Sequence, residues 1–150
     1  AIVRRPVVAV YRPPAEWLPT LRPVPGTSVP SLLVLDNVIK PENCGALFRT
    51  ALAFGVCGVL LSPGCADPLY RKAIRASMGA VFKLPYVHAP RWPLELDELA
   101  AHGFRLLALH LQGSVAHASA IPLDEGSAHE SRTTAPFAIM VGAEYEGEGR

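Results

Sequence analysis

The residues whose types and spacing suit chemistry gather after the apolar run Leu32-Leu33-Val34-Leu35, in the segment Asp36-Asn37-Val38-Ile39-Lys40-Pro41-Glu42-Asn43-Cys44-Gly45-Ala46-Leu47-Phe48-Arg49-Thr50-Ala51. A helix is expected from about Asn43, which can serve as its N-cap. Free backbone N–H groups at such a start hold anions, and Gly45 would let a ligand approach closely. Arg49 follows one turn into the helix, between Phe48 and Ala51. A guanidinium projecting from there toward the strand ends suits a phosphate or a ribose hydroxyl. The plainer reading of the same pattern is a capping asparagine and an arginine paired with a carboxylate.

A second segment, Gly142-Ala143-Glu144-Tyr145-Glu146-Gly147-Glu148-Gly149, follows another apolar run. Gly142 and Gly147 have the spacing of a P-loop, but Glu148-Gly149 stands where Lys-Ser/Thr is needed, and the GxGxxG pattern is absent too. Its glutamates would repel a triphosphate, so an uncharged or cationic ligand such as a sulfonium fits better. A plain acidic turn is the alternative. A third set, Arg71, Lys72 and Arg75, sits on an expected helix. Arg71 and Arg75, at i and i+4, share a face. That face is either a solvated surface or a phosphate-contacting patch.

Other chemistries find little support. The five histidines, His88, His102, His110, His117 and His129, form no HxxxH pair, and no metal site is expected. No GxSxG occurs and no base neighbours a cysteine, which argues against nucleophilic catalysis. Cys44, Cys57 and Cys65 are an odd count without a CxxC pair and read as reduced thiols of a cytosolic protein.

The elements that must hold these groups alternate. Leu32–Leu35 and Gly58–Leu61 read as strands buried on both faces. The first helix should stop at Gly55. Asp67-Pro68 should start a second, running to about Met78 with Gly79 as terminator. Residues 81–86 read as an edge strand because Pro85 cannot donate to a ladder. An amphipathic helix over 93–102 ends at Gly103, and 104–111 and 137–141 are two further strands. Residues 112–135 read as a long loop. Before Ser31, the short β-prone run Val7–Tyr11 precedes residues 12–30, an expected extended connector broken by Pro13, Pro14, Pro19, Pro23, Pro25 and Pro30. This order predicts an α/β fold with a mostly parallel sheet, whose ligands bind at the carboxyl ends of the strands.

Composition agrees with one domain carrying a real core. The chain has 150 residues, of which 50% are hydrophobic and 18% charged. No apolar run approaches a bilayer span, and the basic start lacks the apolar stretch of a signal peptide. A net charge of +1 does not itself announce a nucleic-acid binder, so such a partner must come from a local patch.

The stretch Asn43-Cys44-Gly45-Ala46-Leu47-Phe48-Arg49-Thr50-Ala51, with Ala53-Phe54-Gly55 behind it, closely resembles the first motif of SpoU/TrmH RNA methyltransferases. Pro41-Glu42, Ser77-Met78-Gly79-Ala80 and Leu84-Pro85 extend the likeness, and Ile139-Met140-Val141-Gly142-Ala143-Glu144 resembles the start of the second motif. The match runs through about residues 31–150. The resemblance implies a SPOUT-type α/β domain with helices on both faces of the sheet, a C-terminal trefoil knot and a homodimer. It implies transfer of a methyl group from S-adenosylmethionine to a ribose 2′-hydroxyl of rRNA or tRNA, without a metal or a membrane. Residues 1–30 then read as the tail of an upstream substrate-binding domain and a Pro-rich linker. By position, Arg49, Asn43 and Glu144 correspond to the family's catalytic set. Gly142, Ala143, Gly147 and Leu109 fall at the cofactor pocket, and Arg71, Lys72 and Arg75 would meet RNA. Two departures stand out. Tyr145 replaces a usual glycine, and the sequence reaches Arg150 before the third motif, which leaves the knot incomplete. That second departure keeps a non-catalytic RNA-binding module open as an alternative. A nucleotide-binding oxidoreductase is disfavoured by the absent GxGxxG.

Overall fold

Alternation within the first apolar run decides where the core lies. Leu33 and Leu35 face one side and Leu32 and Val34 the other, and all four are buried. A strand buried on both faces needs helices over both faces of its sheet. The computed structural model, which describes residues 13–21, 30–109 and 135–142, builds that arrangement. In chain order its elements are α1 (Pro14–Trp17), β1 (Ser31–Asp36), α2 (Pro41–Ala53), β2 (Gly58–Leu61), α3 (Arg71–Ser77), β3 (Tyr86–His88), α4 (Leu94–Ala101), β4 (Arg105–Leu109) and β5 (Phe137–Gly142).

The five strands are parallel and ordered β3-β2-β1-β5-β4. The chain steps outward from β1 to β3, then crosses the whole sheet to β4. Right-handed crossovers put helices of opposite travel on opposite faces. Accordingly Cys44, Phe48 and Ala51 of α2 pack with Leu33, Leu35, Val59 and Leu61 on one face, while Leu99 of α4 packs with Leu32, Val34 and Leu60 on the other. Because all strands are parallel, Asp36, Leu61, His88, Leu109 and Gly142 end at one carboxyl edge. The strand order reverses there between β1 and β5, where Asp36 pairs with Gly142. The third strand is an edge strand as expected, and the carbonyl of Pro85 accepts the Val59 N–H at 3.0 Å.

Four expectations about the elements are corrected. α2 begins at Pro41 with Lys40 as N-cap, so Asn43 lies inside the first turn and caps nothing. Proline at the first helical position gives up an N–H that has no partner there anyway. α3 begins at Arg71, because Asp67 closes a separate turn in which its Oδ1 accepts the Leu69 N–H at 2.8 Å and its carbonyl accepts the Tyr70 N–H at 3.0 Å. The third strand is confined to Tyr86–His88, since Ala80–Phe82 winds into a 3-10 turn that delivers Val81 and Leu84 to the core. Within the expected extended connector, Pro14–Trp17 is α-helical and Leu18–Thr20 is a 3-10 turn. The burial of Trp17 and Leu21 against the α4 face outweighs the extended preference of the proline-rich sequence.

Two glycines mark close approaches. A Cβ on Gly58 would stand 2.8 Å from Cζ2 of Trp17, so the indole lies directly on the β2 backbone. A Cβ on Gly45 would stand 2.2 Å from the carbonyl oxygen of Ala73. Gly45 therefore serves the α2–α3 crossing, which corrects its assignment as an opening for a ligand. The run Val7–Tyr11, most of the loop at 112–135 and the expected knot fall outside the described residues.

Candidate active site at the carboxyl edge of the sheet

The site starts with how α2 is anchored. Immediately after β1, Asn37 takes a left-handed conformation with φ 53°, one that asparagine tolerates better than most residues. Its backbone N–H donates to Oγ of Ser62 at 2.8 Å. The Ser62 N–H donates to the Leu35 carbonyl at 2.9 Å, and the Ala66 N–H to the Val38 carbonyl at 2.9 Å. The loops after β1 and β2 are thus laced together, and the lacing fixes the first turn of α2 against the end of β1. Sequence reasoning missed Asn37 and the buried Ser62. The faint signal was only that each is a small polar residue just past a strand end, where the strand must hand its backbone groups to a loop.

Below this anchor, Cys44 is fully buried and its Sγ donates to the Ala66 carbonyl at 3.7 Å. Burial pushes its thiol up to about 12, with the neighbouring Cys65 and Asp67 adding to the rise. Cys44 is a neutral packing group. Cys65 donates to the Leu35 carbonyl at 3.2 Å and joins the same lacing.

Arg49 is exposed on α2 and has no hydrogen-bond or ion-pair partner among the described residues. The carboxylate partner allowed by the plainer sequence reading is absent among those residues. With the helix starting at Pro41, Arg49 lies two turns in, about 12 Å along the axis, deeper than expected. Asn43 is exposed as well. Six residues separate the two, which turns them about 120° apart around the helix and places them about 9 Å apart along it. They are not brought together.

The cations of α3 divide. Arg71 and Arg75 are exposed and without partners among the described residues. Lys72 pairs with Glu42 across the α2–α3 boundary at 3.1 Å. A backbone hydrogen bond in the first turn of α2 and the Lys72 ammonium hold the Glu42 carboxyl below its usual range, and Glu42 in turn raises Lys72.

Across the sheet, Gly142 is exposed at the end of β5. Among the described residues, a Cβ built there would meet only the Asp36 carbonyl oxygen within 4 Å, at 3.9 Å, so none of them crowds this backbone. Leu109 pairs with Val141 at the same edge. Ala143, Glu144 and Gly147 lie outside the described residues. Among the described residues no three His, Cys, Asp or Glu side chains converge as metal ligands, and no helix is long and apolar enough to cross a membrane.

Residues 30–149 match the model of the SpoU rRNA Methylase family. The chain belongs to that family. An uncharacterized tRNA/rRNA methyltransferase of Mycobacterium tuberculosis is 43% identical over 117 residues, covering 78% of this chain and 38% of the relative. The 23S rRNA (guanosine(2553)-2′-O)-methyltransferase RlmP of Bacillus subtilis is 34% identical over 141 residues, covering 94% and 49%. The AdoMet-bound rRNA methyltransferase structure from Sinorhizobium meliloti superposes with a TM-score of 0.61 at 25% identity, covering 91% of this chain and 46% of that one. This SpoU-family chain spans half or less of the length of these relatives. The SPOUT-type α/β fold expected from the sequence is the fold observed.

Proposed function

We propose that this SpoU-family protein transfers a methyl group from S-adenosylmethionine to a ribose 2′-hydroxyl of rRNA or tRNA, acting as a cytoplasmic homodimer. The observation that carries the reading is Arg49, a guanidinium without a partner among the described residues, on a helix anchored to the strand end that pairs with Gly142. The AdoMet-bound neighbour and the 2′-O-methyltransferase name of the Bacillus relative support the cofactor and the ribose target. That no described residue crowds the Gly142 backbone fits a cofactor seated at the β1/β5 reversal, with Gly142 and Leu109 as the described residues that would border it. The sulfonium supplies a methyl group that is already activated. Arg49 stays protonated in proteins, so it serves as a hydrogen-bond donor rather than as a base. It would hold the ribose oxygen or the adjacent phosphate and stabilise negative charge as the hydroxyl loses its proton. Asn43 would contact RNA separately, and Glu144 would complete the polar set.

The test is incubation with methyl-labelled S-adenosylmethionine and unmodified ribosomal and transfer RNA, followed by digestion to nucleosides. Label in a 2′-O-methyl nucleoside is the expected result. Label on a base would overturn the ribose assignment, and RNA binding without label would favour a non-catalytic RNA-binding module.

A further inference from the structure

Helices returning over a parallel sheet begin at its carboxyl edge and finish at its amino edge. Of the large apolar side chains exposed among the described residues, Phe54, Met78 and Phe82 lie at helix or turn ends toward the amino edge. Leu94 opens α4 on the opposite face. Ile39 and Tyr70 remain, 63% and 49% exposed, one on the loop entering α2 and the other as N-cap of α3. The two loops are tied by the Ala66 N–H to Val38 carbonyl bond, and the two helices by the Glu42–Lys72 pair. The Tyr70 phenol is close enough to Lys72 to contribute to its raised pKa, and its side chain has no hydrogen-bond partner among the described residues.

Lys40, Arg71 and Lys72 flank this apolar pair, and Glu42 and Asp67 offset them only in part. An exposed ring among cations, beside a helix carrying an exposed guanidinium with no partner among the described residues, matches the chemistry of a single-stranded nucleic acid. The ring offers a face to a base, and the cations meet the phosphates on either side. Arg49 is two turns from Glu42 along the same face of α2, about 10 Å away. A strand crossing from Tyr70 to Arg49 therefore stays on one surface.

We propose that Tyr70, supported by Ile39 on the adjoining loop, is a stacking surface for an unpaired base of the RNA substrate. This rests on the RNA reading above but not on methyl transfer. Stacking needs the ring and not the hydroxyl, so Tyr70→Phe should bind single-stranded RNA as the parent does. Tyr70→Ala should lose about tenfold in affinity. The loss should be specific to single strands, because a duplex of equal length and inorganic polyphosphate present charge without a free base face. Its salt dependence should match the parent's, since every cation that meets a phosphate is still in place.

The experiment titrates the full chain and both variants with single-stranded RNA, duplex RNA and polyphosphate, with sedimentation of each variant alongside. Unchanged single-strand affinity in Tyr70→Ala overturns the proposal. So does an equal loss toward duplex and polyphosphate, or a change in oligomeric mass in place of RNA affinity, which would make the patch an interface between copies of the chain. A parent that binds RNA with the predicted Tyr70 dependence yet transfers no methyl group would sink the enzymatic reading and leave this one standing.

Discussion

Gly45 of α2 and Ala73 of α3 approach so closely that a single added methyl would fall 2.2 Å from the Ala73 carbonyl oxygen. The obstacle is backbone, which cannot rotate away. Helix propensity alone favours alanine over glycine by about 1 kcal/mol, whereas overpacking costs about 1–3 kcal/mol. The collision should win, and Gly45→Ala should lower the urea midpoint. A raised midpoint would mean that α2 and α3 separate freely.

Arg49→Ala should abolish most turnover while leaving cofactor affinity and stability close to the parent's. The side chain is exposed and makes no hydrogen bond or ion pair to another described residue, so its removal should change stability by no more than about 0.5 kcal/mol. Single-turnover methylation, cofactor titration and thermal melting separate these quantities. Equal turnover in the two proteins would remove Arg49 from the catalytic set.

The α3 cations should prove unequal. Arg71→Ala/Arg75→Ala should weaken RNA binding and flatten its salt dependence, by about 0.7–0.9 in log–log slope for each phosphate left without its cation. Lys72→Ala should cost less affinity, because its ammonium is already paired with Glu42. Binding titrations at several salt concentrations read both effects, and identical slopes for all three proteins would reject the patch.

The buried Cys44 predicts a pH signature. Its thiol ionises at about 12 in the folded chain against 9.0 in the unfolded chain. The neutral thiol's contribution is therefore fully present below pH 9. It is lost as pH rises from 9 toward 12, because only the unfolded state ionises in that window. Urea midpoints should fall less steeply over this range in Cys44→Val than in the parent. At pH 8 iodoacetamide should spare Cys44 until the protein unfolds, and rapid native alkylation there would contradict its burial.

Trp17 sits on β2 with its ring over Gly58. Trp17→Ala should cost about 3–5 kcal/mol, the range for emptying a buried aromatic site. A loss below about 1 kcal/mol in denaturant unfolding would mean that α1 is only loosely docked.

Much of this was legible from local pattern. The apolar runs at 32–35 and 58–61 gave strands buried on both faces, and Gly55 gave the end of α2 through its positive φ. Arg49 was legible as a candidate because its motif is contiguous. The misread residues are those whose role depends on something distant in sequence. Gly45 resembles a ligand-facing glycine until α3 is placed against it. Pro13 and Pro14 signal an extended chain until Trp17 finds the sheet. Asn37 and Ser62 carry no motif at all, and they acquire meaning only when two parallel strands end side by side. Lys72 could not be told from Arg71 and Arg75 without knowing that Glu42 faces it.

The indole of Trp17 on the β2 backbone also bears on how portable this fold is. The span shared with the family begins at residue 30, which would be the natural cut for moving the domain into a chimera. That cut removes Trp17 and Leu21 from the cluster that holds Leu32 and Leu60, and it uncovers the flat backbone of Gly58. Bared apolar sheet of this kind invites aggregation. A workable graft must carry residues 13–21 with it, so the unit that folds is longer than the unit that is recognised.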